Sequence, residues 1–154
     1  MIQRSVDVFA IYDEIGCLEG ASFTRRTNTK PQSQFQHKPL GGLWHKHYSQ
    51  AGFIGKNLGN YWKPKRLDRY LKSILKVGDI LDQPTLGRLI HEVVIGDYEK
   101  RSNAQEITGE WIVYARHLDV NYYLTLGVHG DDHAIAERAR ACADEFPELD
   151  ILRT

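Results

Sequence analysis

Two histidines flank a lysine in the sequence Trp-His-Lys-His-Tyr at residues 44 to 48. In an extended segment, the imidazoles of His45 and His47 would project from one face and Lys46 from the other. Histidine can act both as a general base and as a general acid near neutral pH. RNA supplies its own nucleophile in the 2′-hydroxyl, so its cleavage needs no metal ion. The spacing therefore predicts that His45 and His47 are the acid and base of a metal-independent ribonuclease with no cofactor.

Four further residues complete this predicted catalytic set. Lys46 and Arg116 are expected to stabilise the negative charge that develops on the phosphate. Tyr123 and Thr125 lie two positions apart in a predicted strand, so their hydroxyls would share one face and could orient the phosphate. Hydroxyls at these positions are also typical of the solvated side of a sheet, and that alternative stays open.

A second cluster, His-Gly-Asp-Asp-His at residues 129 to 133, allows a different chemistry. Imidazole and carboxylate groups bind zinc or manganese, so His129, Asp131 and His133 could complete a metal site begun by the two earlier histidines. The spacing matches no established metal signature, however, and Asp131 or Asp132 also suits the N-cap of a helix. We therefore expect a capped turn here, with the metal site as the alternative.

The net charge of zero is an average over unlike segments. Residues 25 to 76 carry a net charge of +11, whereas residues 1 to 24 carry −3 and residues 77 to 154 carry −8. Aromatic residues are interleaved with the positive charge, namely Trp44, Tyr48, Tyr61, Trp62 and Tyr70. Such a segment suits binding to phosphates with stacking on unpaired bases. The residues predicted to bind nucleic acid are Arg25, Arg26, Lys56, Trp62, Lys63, Lys65, Arg66 and Arg69.

Two other interpretations of the basic segment remain open. It could pack against the acidic ends of the same chain, or it could bind an acidic antitoxin or immunity protein. The chain could also be a non-catalytic binding module, or itself an immunity protein or antitoxin whose acidic C-terminal part covers a basic toxin.

The pattern of apolar and turn residues predicts a single α+β domain, with about three helices followed by an antiparallel β-hairpin, a helix and a short final strand. A strand is expected over residues 5 to 12 and a polar loop over 25 to 42. The helices are predicted over residues 49 to 62, 64 to 76, 84 to 100 and from Asp131 or Asp132 to about Phe146. The hairpin is predicted over residues 107 to 117 and 121 to 128, and the final strand at the tail.

Some function classes are excluded or disfavoured by the sequence. The glycine-rich loops of nucleotide-binding proteins and the GxSxG motif of serine hydrolases do not occur. Cys17 and Cys142 form no CxxC pair, which predicts reduced thiols. Neither a signal peptide nor an apolar stretch of about 18 residues is visible. We therefore expect a cytoplasmic protein with no membrane partner.

The block at residues 44 to 48, followed by the hydroxyl-bearing hairpin, resembles the compact ribonuclease toxins grouped around barnase, EndoU, colicin and RelE. The resemblance lies in size and element order and covers about residues 40 to 130. It departs in the helix and strand expected after the hairpin and in the neutral net charge. The resemblance implies a toxin or phage-defence endoribonuclease that cuts RNA without metal.

Overall fold

A computed structural model describes the chain over residues 6–21, 27–49, 58–59, 61–75, 83–104 and 109–154. Three of the residues predicted to bind nucleic acid, Arg25, Arg26 and Lys56, lie outside these ranges. So does most of the helix predicted over residues 49 to 62. Within the described ranges, no helix is both long enough and apolar enough to cross a membrane.

An antiparallel sheet of four strands organises the described part of the chain. Its strands lie side by side in chain order: β1 (Ser33–Gln34), β2 (Trp44–Tyr48), β3 (Glu110–His117) and β4 (Val120–Gly127). The hairpin predicted near the C-terminal end is confirmed as β3 and β4. Its turn residues Leu118 and Asp119 have φ of 49° and 63°, the left-handed conformation that matches a tight hairpin to the twist of its strands.

Five α-helices accompany this sheet in the described part of the chain, and the α+β class is as predicted. They are α1 (Val8–Leu18), α2 (Pro64–Ile74), α3 (Gln83–His91), α4 (Asp97–Asn103) and α5 (Asp132–Arg140). Pro64 begins α2, as its fixed φ allows. The helix predicted over residues 84 to 100 is confirmed, except that a π-helical turn (Glu92–Gly96) joins α3 to α4.

The strand predicted over residues 5 to 12 is wrong, because α1 begins at Val8 within this segment. Asp7 precedes the helix, and its Oδ1 accepts hydrogen bonds from the backbone N–H groups of Phe9 and Ala10, at 3.1 Å each. This is an N-cap that stabilises the first turn. The helix then buries Glu14 and Gly16, so the apparent alternation of polar and apolar residues did not reflect a strand.

The C-terminal tail is a 3₁₀ helix (Asp150–Arg153), so the predicted final strand is also wrong. The Arg153 guanidinium donates to the backbone carbonyls of Pro147 and Ala143 at 2.8 Å each, which folds the tail back on itself. The preceding helix α5 ends at Arg140, earlier than the predicted Phe146.

The hydrophobic core lies between α5, the tail and one face of the sheet. Its buried residues are Leu40, Leu43, Trp111, Val113, Ala115, Ile135, Ala136, Ala139, Leu149 and Leu152. Part of the segment predicted as a polar loop therefore supplies core, since Leu40 is buried and Ser33–Gln34 form β1. We call the sheet face against α5 the core face and the opposite face, against which α1 packs, the α1 face.

Candidate functional site

His45 and His47 project from the same face of β2, as the sequence predicted. They lie on the core face, with ring centroids 5.5 Å apart. His129 joins them from the turn after β4, stacked 5.5 Å from His47. Trp111 lies at the centre of this histidine cluster, 5.1 Å from His45 and 4.1 Å from His129. Phe35 closes one side by stacking on His45 at 4.3 Å.

Burial keeps the first two imidazoles uncharged. Desolvation lowers the pKa of His45 and of His47 to about 4, with a further lowering from the neighbouring His129. For His47, a hydrogen bond to the Gly109 carbonyl opposes this shift but does not cancel it. Both rings are therefore neutral near pH 7, so neither supplies the protonated general acid that the predicted mechanism requires.

Lys46 is buried in an ion pair on the α1 face and cannot reach a phosphate in solvent. Its Nζ lies 3.3 Å from Glu14 Oε2 and donates to Thr29 Oγ1 at 2.7 Å and to the Lys30 carbonyl at 2.8 Å. Thr27 and Thr29 each donate a hydroxyl to Glu14 at 2.8 Å. Burial raises the pKa of Glu14, although Lys46 and the two threonines lower it. The predicted role of Lys46 in charge stabilisation is therefore wrong, and its place is structural.

The prediction that Tyr123 and Thr125 share a face is also wrong. Thr125 pairs with Val113 and Tyr123 pairs with Tyr114, because a β-bulge shifts the register between these consecutive residues of β3. Consecutive residues of a strand face opposite sides. Thr125 accepts a hydrogen bond from Arg138 of α5 at 3.0 Å on the core face, whereas Tyr123 lies on the α1 face.

Tyr123 and Arg116 belong to a polar network that connects the hairpin to the end of α1. Glu19 accepts hydrogen bonds from the Tyr123 hydroxyl and from Asn121 Nδ2, the latter at 2.9 Å. These two bonds lower the pKa of Glu19 and hold it ionised. Arg116 donates to Asn121 Oδ1 at 3.2 Å and stacks 4.8 Å from the centre of the Trp44 ring.

The predicted catalytic set is thus divided by the sheet. His45, His47 and Thr125 lie on the core face. Lys46, Arg116 and Tyr123 lie on the α1 face. A single phosphate cannot contact both groups, so these six residues do not form one active site.

The alternative metal site is not assembled either. Asp131 precedes α5 and His133 lies in its first turn, both exposed, while His129 packs on Trp111. Across the described ranges, no group of three or more histidine, cysteine or carboxylate side chains could hold a metal ion. Asp131 occupies the N-cap position of α5, as expected, but its side chain makes no capping hydrogen bond.

The structure does bring part of the predicted nucleic-acid surface together, around a cavity of about 530 Å³ between α2 and the π-helical turn. Trp62, Arg66 and Arg69 line it, as do Tyr61 and Tyr70. Lys63 and Lys65 are exposed at the start of α2, outside the cavity lining. We call this region the basic aromatic surface.

The three aromatic rings of this surface are held in fixed orientations. Trp62 lies 5.0 Å from Tyr61, nearly perpendicular to it, and 5.0 Å from Tyr70. Its Nε1 donates to the Val93 carbonyl in the π-helical turn at 2.8 Å. The Arg66 guanidinium lies 3.4 Å above the Tyr61 ring, a stacking that leaves the N–H edges of an arginine available to a phosphate.

Two residues of the cavity were not predicted as site residues. Glu92 accepts a hydrogen bond from the Tyr70 hydroxyl at 2.5 Å, and Lys100 lines the same cavity from α4. Both lie within residues 77 to 154, which carry a net negative charge. Counting charge by segment therefore did not assign them to the basic surface. The Tyr70–Glu92 hydrogen bond joins α2 to the π-helical turn across 22 positions. No short-range spacing of residues in the sequence predicts it.

No known protein family, curated protein or solved structure matches this chain. Among the described residues, cations, flat rings and a cavity occur together at the basic aromatic surface.

Proposed function

We propose that the protein binds single-stranded RNA through the basic aromatic surface. The observation that carries this proposal is the cavity of about 530 Å³ walled by Tyr61, Trp62 and Tyr70 and lined by Arg66 and Arg69. Aromatic faces bind unpaired bases by stacking, and each stacked base contributes about 1–3 kcal/mol. Arginines beside the rings can bind the phosphates that flank such a base.

Electrostatics favours the same ligand. Lys63, Lys65, Arg66 and Arg69 are exposed within or directly before α2. In α2 itself the one acid is Asp68, and it pairs with Lys72 at 2.8 Å. The remaining cations can therefore displace the counterions of a polyanion. An RNA partner is consistent with a cytoplasmic protein, which we include in the proposal.

Cleavage of RNA is the second candidate function, and one observation favours it. The exposed imidazole of His129 stacks on His47, a neutral imidazole held in place by Gly109. A neutral imidazole can act as a general base, and a solvent-accessible imidazole beside it can act as the general acid. The acid would then be His129 in place of His45. With these roles, the protein would be a metal-independent endoribonuclease of toxin or phage-defence type.

Removing two arginines should weaken RNA binding strongly. We expect Arg66→Ala/Arg69→Ala to raise the Kd for a 12-nucleotide single-stranded RNA by on the order of tenfold. The slope of log Kd against log salt should fall by about 1.4, since each cation lost removes about 0.7. Fluorescence anisotropy at four salt concentrations measures both quantities.

The matched control removes two exposed cations elsewhere, in Lys38→Ala/Arg140→Ala. It should leave both the affinity and the salt slope near the wild-type values. Equal losses in the two double variants would show nonspecific attraction by net charge and would refute the proposed surface. Gel analysis of the same samples, with and without EDTA, reports cleavage: RNA left intact by wild type in both would refute the second candidate function.

Binding of an acidic antitoxin protein is the competing use of this surface. Such a partner would be attracted by the same cations but has no bases to stack on the aromatic rings. Trp62→Leu separates the two partners, because it removes a stacking face without changing charge. A loss of RNA affinity in this variant favours RNA, and unchanged RNA affinity favours the protein partner.

A further inference from the structure

The cavity of the basic aromatic surface contains a carboxylate as well as cations. Glu92 lines it together with Tyr61, Trp62 and Tyr70. The Tyr70 hydroxyl donates to Glu92 Oε2 at 2.5 Å, which fixes the carboxylate beside the aromatic walls. An ionised carboxylate has about four acceptor sites, so Glu92 can accept further hydrogen bonds while it holds Tyr70.

Charge determines which kind of flat ligand suits this cavity. Aromatic rings with a carboxylate can also bind an organic cation such as a quaternary ammonium. Here Arg66, Arg69 and Lys100 line the same cavity, and Arg66 already covers the Tyr61 ring. Three cations repel a cationic ligand and attract an anionic one. A nucleotide fits both features, with its base in the cavity against an aromatic ring and its phosphate on the arginines.

A carboxylate at this position can discriminate among the four bases by hydrogen-bond chemistry. It is an acceptor only, and it is satisfied best by two adjacent donors. Guanine presents two such donors, N1–H and N2–H, on its Watson–Crick edge. Adenine and cytosine place a ring acceptor beside their amino donor, and uracil places a carbonyl on each side of its N3–H. Only guanine therefore meets Glu92 without an opposed acceptor.

We infer that the cavity between α2 and the π-helical turn is a subsite for an unpaired guanine base, recognised by Glu92. This inference deepens the proposed function and rests on it. An aromatic wall would bind one face of the base, Glu92 its donor edge and the arginines its flanking phosphates. An unpaired base is required, because in a duplex both the faces and the donor edge are occupied.

The test compares heptanucleotides that differ at one position. Wild-type protein is titrated by fluorescence anisotropy with UUUGUUU, UUUAUUU, UUUCUUU and UUUUUUU RNA at one salt concentration. A bidentate contact to the correct base is worth about 1–3 kcal/mol, so the guanine oligonucleotide should bind about tenfold or more tightly than the other three. This comparison needs no variant and is independent of any effect on folding.

Glu92→Gln then tests the assigned residue. The amide keeps the size of the side chain and an acceptor for Tyr70, but it presents a donor where guanine also presents one. We expect the preference for guanine, measured as the ratio of the Kd for UUUUUUU to the Kd for UUUGUUU, to fall from about tenfold to near one.

The outcomes separate the subsite from the function on which it rests. Equal binding of all four oligonucleotides by wild type would overturn the guanine subsite and leave RNA binding standing. A guanine preference that persists in Glu92→Gln would overturn the assignment to Glu92. Failure of all four to bind would overturn the proposed function itself.

Discussion

Lys46→Met is expected to destabilise the protein by about 3–5 kcal/mol. The substitution leaves Glu14 buried without its cation and removes the donor bound to the Lys30 carbonyl. Protonation of Glu14 would relieve part of this cost, because burial already raises the pKa of that carboxyl. The destabilisation should therefore be smaller at pH 5 than at pH 8. Urea denaturation at both pH values measures it.

The control for this prediction is an exposed pair of the same type. Lys72 lies 2.8 Å from Asp68 on α2, with both side chains largely exposed. Lys72→Met should cost less than about 0.5 kcal/mol. In Glu14→Met/Lys46→Met, removal of both charges should recover much of the stability lost in the single variant. A single variant as stable as wild type, or a double variant no better than the single, would contradict the structural role of Lys46.

Acidification should destabilise the fold through the histidine cluster. The folded-state pKa of His45 and of His47 is about 4, below the ordinary value of about 6.5 that applies in the unfolded chain. The unfolded chain therefore binds more protons between these values, so stability is lost as the pH falls from about 6.5 to 4. Allowing for partial solvent exposure, we expect the pair to contribute a loss of about 2 kcal/mol between pH 7 and pH 5.

Glu14 acts in the opposite direction, because its pKa is raised in the folded state. The histidine contribution is therefore isolated by comparing variants. His45→Gln/His47→Gln, which cannot titrate, should lose less stability than wild type between pH 7 and pH 5. His37→Gln, at an exposed loop position, should keep the wild-type dependence. If the double variant retains the full wild-type loss, burial of neutral histidines is not its cause.

Residues two positions apart in a regular strand lie on the same face of the sheet. This rule predicted the faces of the side chains correctly where the strand is regular. Two-residue spacing placed His45 and His47 on one face, and the structure confirms it. The same rule failed for Tyr123 and Thr125, because a β-bulge shifts the pairing between them. A bulge inserts one extra residue into one of the two paired strands, and the alternating pattern of residue types in this hairpin does not mark its position.

Long-range partners explain the other differences between prediction and structure. Lys46 was interpreted as a free cation because its buried partner, Glu14, is 32 positions away in a segment predicted as a strand. Recognising Asp7 as an N-cap would have indicated a helix there, with Glu14 on it. Glu92 reaches Tyr70 across 22 positions. Neither pairing produces a local pattern, so the candidate site could be predicted only in α2 and in the residues directly before it.

The sheet and the basic aromatic surface have different roles in this account. The sheet holds a buried ion pair on the α1 face and neutral histidines on the core face, both packed inside the fold. The basic aromatic surface, in α2 and the residues directly before it, carries exposed positive charge and aromatic walls. Asn28 Nδ2 donates to Ser102 Oγ of α4 at 2.7 Å, a hydrogen bond that connects the helical segment to the chain that leads into β1.

The position at which RNA contacts the protein tests the central proposal most directly. Wild-type protein is irradiated at 254 nm with a single-stranded RNA of mixed sequence, and the cross-linked residues are mapped by mass spectrometry. We predict adducts on Tyr61, Trp62 or Tyr70, whose rings would stack on the bases. Adducts confined to the histidine cluster, or to residues outside the basic aromatic surface, would contradict the account.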